Sequence, residues 1–180
     1  MKIAQLRLRG RWLGGRWFRG IGLGIVLLAL SAVPMPRLLI WNASASVPKG
    51  LYLAVPVTEI RRGQIVIATP PLALAQWLDA RGYLPLGIPL IKPVAATSAQ
   101  IVCRHDAIIT VDGIVIGTAR AADHLGRPLP VWRGCSLVAA DQIFLMNRQA
   151  PDSLDGRYFG ILPRSVVRGR AIPLWTYDGD

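Results

Sequence analysis

Lysine, cysteine and histidine are all scarce in this chain of 180 residues, and each scarcity removes a class of function. The two cysteines, Cys103 and Cys135, and the two histidines, His105 and His124, form neither a CxxC nor an HxxxH pair. That pattern excludes the usual zinc sites, so no metal and no cofactor are expected. A Ser–His–Asp triad is also poorly served. His105 adjoins Asp106 within an expected strand, where neighbouring side chains point to opposite faces. Acids are few, 10 against 21 basic residues, for a formal charge of +11. The imbalance is local. Residues 1–40 hold Lys2, Arg7, Arg9, Arg11, Arg16, Arg19 and Arg37 with no acid, while residues 41–180 carry 14 basic and 10 acidic residues. No basic stripe interleaved with aromatics exists, so nucleic acid is not an expected partner. Repeats, heptads and low-complexity tracts are absent as well.

What the sequence has in abundance is apolar residues, 52% of the total, enough for a sizeable core. They include one long run, Ile21 to Trp41, interrupted by a single charge at Arg37. About 20 such residues span a bilayer as a helix. The basic residues before it predict a cytoplasmic N-terminus, and Trp17, Phe18 and Trp41 stand where an aromatic belt would lie. Pro34 and Pro36 would kink the run or end it early. The competing reading is a cleaved export signal, with Ala29-Leu30-Ser31-Ala32 as its small-residue site. Either way the expected organisation is a basic N-terminus at 1–19, a transmembrane anchor at 20–41 and an exported domain at 42–180. In an oxidising compartment Cys103 and Cys135 are a candidate disulfide, with two buried free thiols as the alternative.

The exported part reads as short strands with one helix. Strands are expected at 51–55, 64–68 and 142–146, around 160–162 and at 166–172, with an extended apolar stretch at 86–96. Two strands joined at Asp112-Gly113 are expected within 101–117. Residues 126–135 read as a proline-rich connection and residues 153–156 as part of a polar loop. Pro71 stands near the first turn of the helix and Gly82 closes it.

The chain uses 18 arginines and only three lysines, yet it keeps Lys92 inside Ile88-Pro89-Leu90-Ile91-Lys92-Pro93-Val94-Ala95-Ala96. A desolvated lysine can lose its proton and act as a base, whereas arginine stays charged. Taken alone, a lysine at a strand end more often carries its ammonium out to solvent. Just beyond the apolar run, Ser44 and Ser46 precede Pro48, Gly50 and Tyr52. They read either as a polar linker or as nucleophile and helper, since a serine hydroxyl needs a base within hydrogen-bond reach.

Three blocks carry a resemblance that chooses between these readings: Ser46-Val47-Pro48-Lys49-Gly50-Leu51-Tyr52, the stretch from Leu90 to Val102 around Lys92, and Ser153-Leu154-Asp155-Gly156-Arg157-Tyr158-Phe159-Gly160-Ile161-Leu162-Pro163. In this order, behind an apolar segment, the chain resembles the serine–lysine signal peptidases, most closely the TraF-type conjugative-transfer peptidases, over about residues 20–175. The resemblance implies a mainly β, signal-peptidase-like fold with one short helix behind the anchor. It implies Ser46 as nucleophile, Lys92 as general base, Ser44 and the Ser46 N–H as the oxyanion hole, and Ser153 as the residue that orients the lysine. Asp155 and Arg157 would be structural support. The implied activity is cleavage of an exported, pilin-like precursor with small residues at the cleavage site, in the periplasm beside the inner membrane. Cyclisation of the product would use the same groups. A housekeeping signal peptidase and a non-catalytic component of a conjugative secretion apparatus are the rival readings. The chain departs from the family pattern at Leu145-Met146, at Ala99-Gln100 and at Gly156, none of which removes a catalytic group.

Overall fold

The computed structural model describes residues 38–177. The expected anchor lies outside the described residues except at its end, and among the described residues no helix is long and apolar enough to cross a membrane. At that end the structure differs from the sequence reading. Leu39–Asn42 form strand β1, antiparallel to β2 (Lys49–Val55). The last residues of the apolar run, Leu39–Trp41, are therefore extended chain.

Seven strands make the larger sheet, in the order β1-β2-β11-β3-β4-β9-β10. These add β3 (Ile65–Ala68), β4 (Leu90–Ala96), β9 (Gln142–Leu145), β10 (Leu162–Pro163) and β11 (Val167–Tyr177). The second sheet has the order β7-β6-β5-β8, from β5 (Ile101–His105), β6 (Ile108–Val111), β7 (Ile114–Thr118) and β8 (Gly134–Leu137). All of these pairings are antiparallel. The domain is thus mainly β. Helix α1 (Leu72–Ala80) and a single helical turn, α2 (Gly156–Phe159), interrupt it.

β4 is the pivot. Six of its seven residues are buried, because it is covered on both faces. On one side Val94 joins Val66, Ile143, Leu145 and Val166. On the other, Ala95 and Ala96 pack with Val102, Ile109, Ile116 and Phe144 under the small sheet. Each valine, isoleucine, leucine or phenylalanine so removed from water contributes about 1.5–3 kcal/mol, and each alanine less. A doubly covered strand reads as a continuous apolar run, and any polar side chain on it is taken out of water.

Local chemistry explains the ends. Pro71 begins α1, and Gly82 (φ +69°) ends it, with Gly82 N–H donating to the Asp79 carbonyl and Tyr83 N–H to the Leu78 carbonyl. Asp112 and Gly113, both at positive φ, join β6 to β7 as a tight hairpin.

Three expectations are corrected here. Residues 101–118 form three strands, not two, since Asp106 takes positive φ (54°) and turns the chain between β5 and β6. Asp106 is therefore in a turn rather than beside His105 in a strand. The proline-rich connection ends in β8, every residue of which is exposed. Pairing with β5 and the Cys103–Cys135 disulfide hold that strand, the two cysteines standing directly opposite in register. Closing a loop of 32 residues in this way is worth roughly 4 kcal/mol. Finally, the polar loop contains α2, whose N-cap Asp155 accepts from the Arg157 N–H.

Candidate active site

A groove of about 650 Å³ runs between the turn after β1, the start of β4, the end of α1 and the segment before α2. Ser44, Ser46, Lys92 and Ser153 all line it. His105 and His124 do not, which removes a Ser–His–Asp arrangement here.

Lys92 sits on β4 opposite Val66 of β3 and is 4% exposed. Its Nζ donates to Ser153 Oγ at 2.5 Å, and that serine is also buried. Burial pushes the Lys92 ammonium down to about 8; the Asp155 carboxylate pulls it back up and the Arg157 guanidinium pushes it further down. At pH 7 roughly a tenth of this amine is therefore neutral and able to accept a proton, against fewer than about one in a thousand for an exposed lysine.

Ser153 is placed by the segment it belongs to. Asp155 accepts from the backbone N–H of Arg157 and, at 3.1 Å, from that of Asn147. Arg157, 1% exposed, lies 3.6 Å from the Asp155 carboxylate and donates to the carbonyls of Ala150, Pro151 and Asn147. These bonds tie 147–151 to α2 and hold the loop bearing Ser153 against β4. Burial pushes the Asp155 carboxyl up, against the pull of Arg157, Lys92 and two backbone N–H groups. A buried guanidinium with one carboxylate and several carbonyls is a structural clamp, and removing either partner leaves a costly unpaired charge. Arg104 of β5, also buried, donates to the Arg157 carbonyl and links the small sheet to the same clamp.

The serines lie across the groove. Ser44 Oγ and Ser46 Oγ are 2.9 Å apart, and Ser46 Oγ approaches the Ile91 carbonyl at 3.4 Å. Ser46 thus stands beside the strand position next to Lys92. The hydroxyl and the amine are not hydrogen-bonded to each other; each is held by another serine. The turn carrying Ser46 is braced by Tyr52, whose hydroxyl donates to the Pro48 carbonyl at 2.7 Å.

Two residues that the sequence reading did not single out belong to this arrangement. Asn147 donates from Nδ2 to the Ser46 carbonyl at 2.7 Å, joining the Ser46 turn to the Asp155–Arg157 clamp. Asn42, at the end of β1 and buried, holds Ser44 and the turn that follows. An asparagine side chain readily caps the backbone N–H two residues on, as Asn42 does that of Ser44, and an asparagine at the end of an apolar strand was the available signal. Asn147 sits 101 residues from its partner, and no local pattern could have paired them.

The far wall of the groove comes from Leu78, Tyr83 and Leu84 at the end of α1. Tyr83 donates to Asp123, which also pairs with Arg127 at 2.7 Å, and the Arg127 guanidinium lies over the Tyr83 ring. These contacts fix the wall to residues 123–127.

Comparison with known proteins gives a consistent result. The family model described as signal peptidase, peptidase S26, matches residues 15–175. The chain is 36% identical over 152 residues to the conjugal transfer protein TraF of Agrobacterium fabrum, covering 76% of this chain and 82% of that protein. It is 28% identical over 145 residues to a plasmid transfer protein TraF of Escherichia coli, with the same coverage. Among solved structures, a signal peptidase I from Enterococcus faecalis aligns at a TM-score of 0.37 and 16% identity, over 63% of this chain and 97% of that one.

Proposed function

Since the chain belongs to the signal peptidase family, peptidase S26, we propose that it is a membrane-anchored serine endopeptidase in which Ser46 is the nucleophile and Lys92 the general base. The observation that carries this reading is the buried Lys92 amine, bonded to Ser153 and sharing a groove with the Ser44–Ser46 hydroxyl pair.

The steps follow from the chemistry of these groups. Ser46 exchanges its resting partners for Lys92 Nζ, a tightening common when substrate fills an empty site. Neutral Lys92 takes the Ser46 proton as Oγ attacks the scissile carbonyl. The developing oxyanion is met by the Ser46 N–H and the Ser44 hydroxyl, and loss of one such donor typically costs about 10²–10³ in rate. The C–N bond breaks, Lys92 returns the proton to the leaving amine, and Ser46 holds the acyl group. Water, activated by the again-neutral Lys92, releases it. An incoming amine in place of water would give a new peptide bond and a cyclic product through the same groups.

The substrate in this reading is an exported precursor with small residues at the cleavage site. The conjugal and plasmid transfer proteins to which the chain is similar favour a conjugative pilin subunit. The same reading puts the catalytic domain in the periplasm at the inner membrane. The apolar run ending near Trp41 supports this, as does a surface cluster in which Trp41, Trp175 and Tyr177 pack on one another beside exposed Leu39.

The test is precursor processing by the full-length chain in membranes. Ser46→Ala and Lys92→Ala are each expected to abolish it. Normal processing by both variants would leave only the non-catalytic component of a secretion apparatus. Rescue of a strain depleted of housekeeping signal peptidase would instead assign the broader role.

A further inference from the structure

The hydrogen-bond inventory around the serines assigns a role to Asn42 that the mechanism above leaves open. The Asn42 amide nitrogen faces the carbonyls of Ser44, Val47 and Pro48 at 2.8, 3.1 and 3.1 Å. Carbonyls only accept, so this end of the side chain must be the NH₂ and its orientation is unambiguous. The other end, Oδ1, receives the Ser44 backbone N–H at 3.2 Å and lies 2.9 Å from Ser44 Oγ. An amide oxygen has no proton to give, so Ser44 donates its single hydroxyl proton to Asn42. Ser44 Oγ can then only accept from Ser46 at their 2.9 Å contact, which directs the Ser46 proton toward Ser44. The alternative for Ser46, the Ile91 carbonyl at 3.4 Å, is longer and weaker. The hydroxyls thus form an ordered chain, Ser46 to Ser44 to Asn42, ending on a buried side chain whose two amide protons are shared among three carbonyls of the same turn.

We propose that Asn42 is a positioning residue. It fixes the Ser44 hydroxyl, the oxyanion donor of the proposed mechanism, and holds Ser46 beside it at rest. The inference rests on the proposed peptidase reading, with Ser44 as oxyanion donor. When the tetrahedral oxyanion forms, Ser44 turns its proton from Asn42 Oδ1 to the new charge, while its oxygen stays where Asn42 placed it. A donor already in position does not have to be ordered during the reaction. Asn42 lines the groove but is only 6% exposed, and both ends of its amide are engaged within the turn, so its effect belongs in kcat and passes through Ser44.

A double-mutant cycle on the full-length protein in detergent, with kcat and KM measured on a precursor peptide, tests this. Asn42→Ala is expected to lower kcat by about 10–100-fold, less than the outright loss of an oxyanion donor because Ser44 remains, with KM changed less than about threefold. In a Ser44→Ala background the same substitution is expected to lower kcat by no more than about threefold, because the group it positions is gone. A merely structural role predicts the opposite: the two losses multiply. That result, or an unchanged kcat in Asn42→Ala, overturns the proposal. Thermal unfolding of each variant checks that it is folded. If Asn42→Ala does not fold, Asn42→Leu, which fills the space but offers Ser44 no acceptor, is put through the same cycle with the same two outcomes. Inactive Ser46→Ala with inactive Lys92→Ala preserves the peptidase reading whatever the cycle shows, so the two ideas fail separately.

Discussion

Replacing Lys92 by methionine should abolish processing, and it should also reverse a stability cost whose size can be worked from the structure. The amine is 4% exposed and its pKa is pushed down from 10.5 to about 8 by burial. Above the unfolded value both states are neutral and burial carries no protonation penalty. As the pH falls from 10.5 to 8 the unfolded chain takes up a proton that the folded chain does not, so stability falls across that window and stays low beneath it. The full difference is about 3 kcal/mol, at 1.36 kcal/mol per pH unit. Methionine has a similar length and no charge, so it escapes the penalty but leaves Ser153 without its bond, a loss of about 1–3 kcal/mol. The two terms nearly offset near neutral pH, and the informative quantity is the pH dependence. The stability of Lys92→Met relative to the parent should fall by about 2.5 kcal/mol between pH 7 and pH 10, in the parent's favour. Guanidinium unfolding of the full-length protein, followed by tryptophan fluorescence, gives this difference directly. A relative stability that stays flat across the range would mean that Lys92 keeps an ordinary ammonium in the folded state, and the base assignment would fail with it.

Two further outcomes follow from the same geometry. Processing should depend on the neutral amine, so its rate should fall about tenfold per pH unit below pH 8, the acid limb being set by Lys92; a rate independent of pH between 6 and 8 would contradict this. Gly50 has φ +143°, and a Cβ there would meet the Trp175 carbonyl oxygen at 2.1 Å. Gly50→Ala should therefore cost at least about 1–3 kcal/mol in unfolding experiments and lower processing, because Gly50 pairs with both Asn42 and Thr176 across β1 and β11.

Legibility in the sequence followed the range of the interactions. Helix α1 could be read because its stop signal is local: Gly82 ends it through bonds to Leu78 and Asp79. The Asp112-Gly113 hairpin could be read for the same reason, since the turn chemistry sits in two adjacent residues. Strand β8 could not, because none of its residues is buried and only its partner β5 and a cysteine 32 positions away hold it. Neither could α2, since a single turn capped by Asp155 carries no periodic pattern. Strand β1 could not be read because it is apolar too, and composition does not distinguish Leu39-Ile40-Trp41 in a strand from the same residues in a helix. In the groove, Ser44, Ser46, Lys92 and Ser153 could be picked out from the sequence blocks. The contacts that hold them could not: Lys92 and Ser153 are 61 residues apart, and Ser46 and Asn147 are 101 apart. Asn42, only two residues from Ser44, left a local trace that hydropathy obscured.

The account depends on the protonation of one buried amine, and a ¹⁵N NMR titration of the Lys92 side chain in the full-length protein measures it most directly. The structure predicts a midpoint near pH 8, with the amine neutral above it. A midpoint at the ordinary lysine value, about 10.4, would contradict the assignment of Lys92 as the base that activates Ser46.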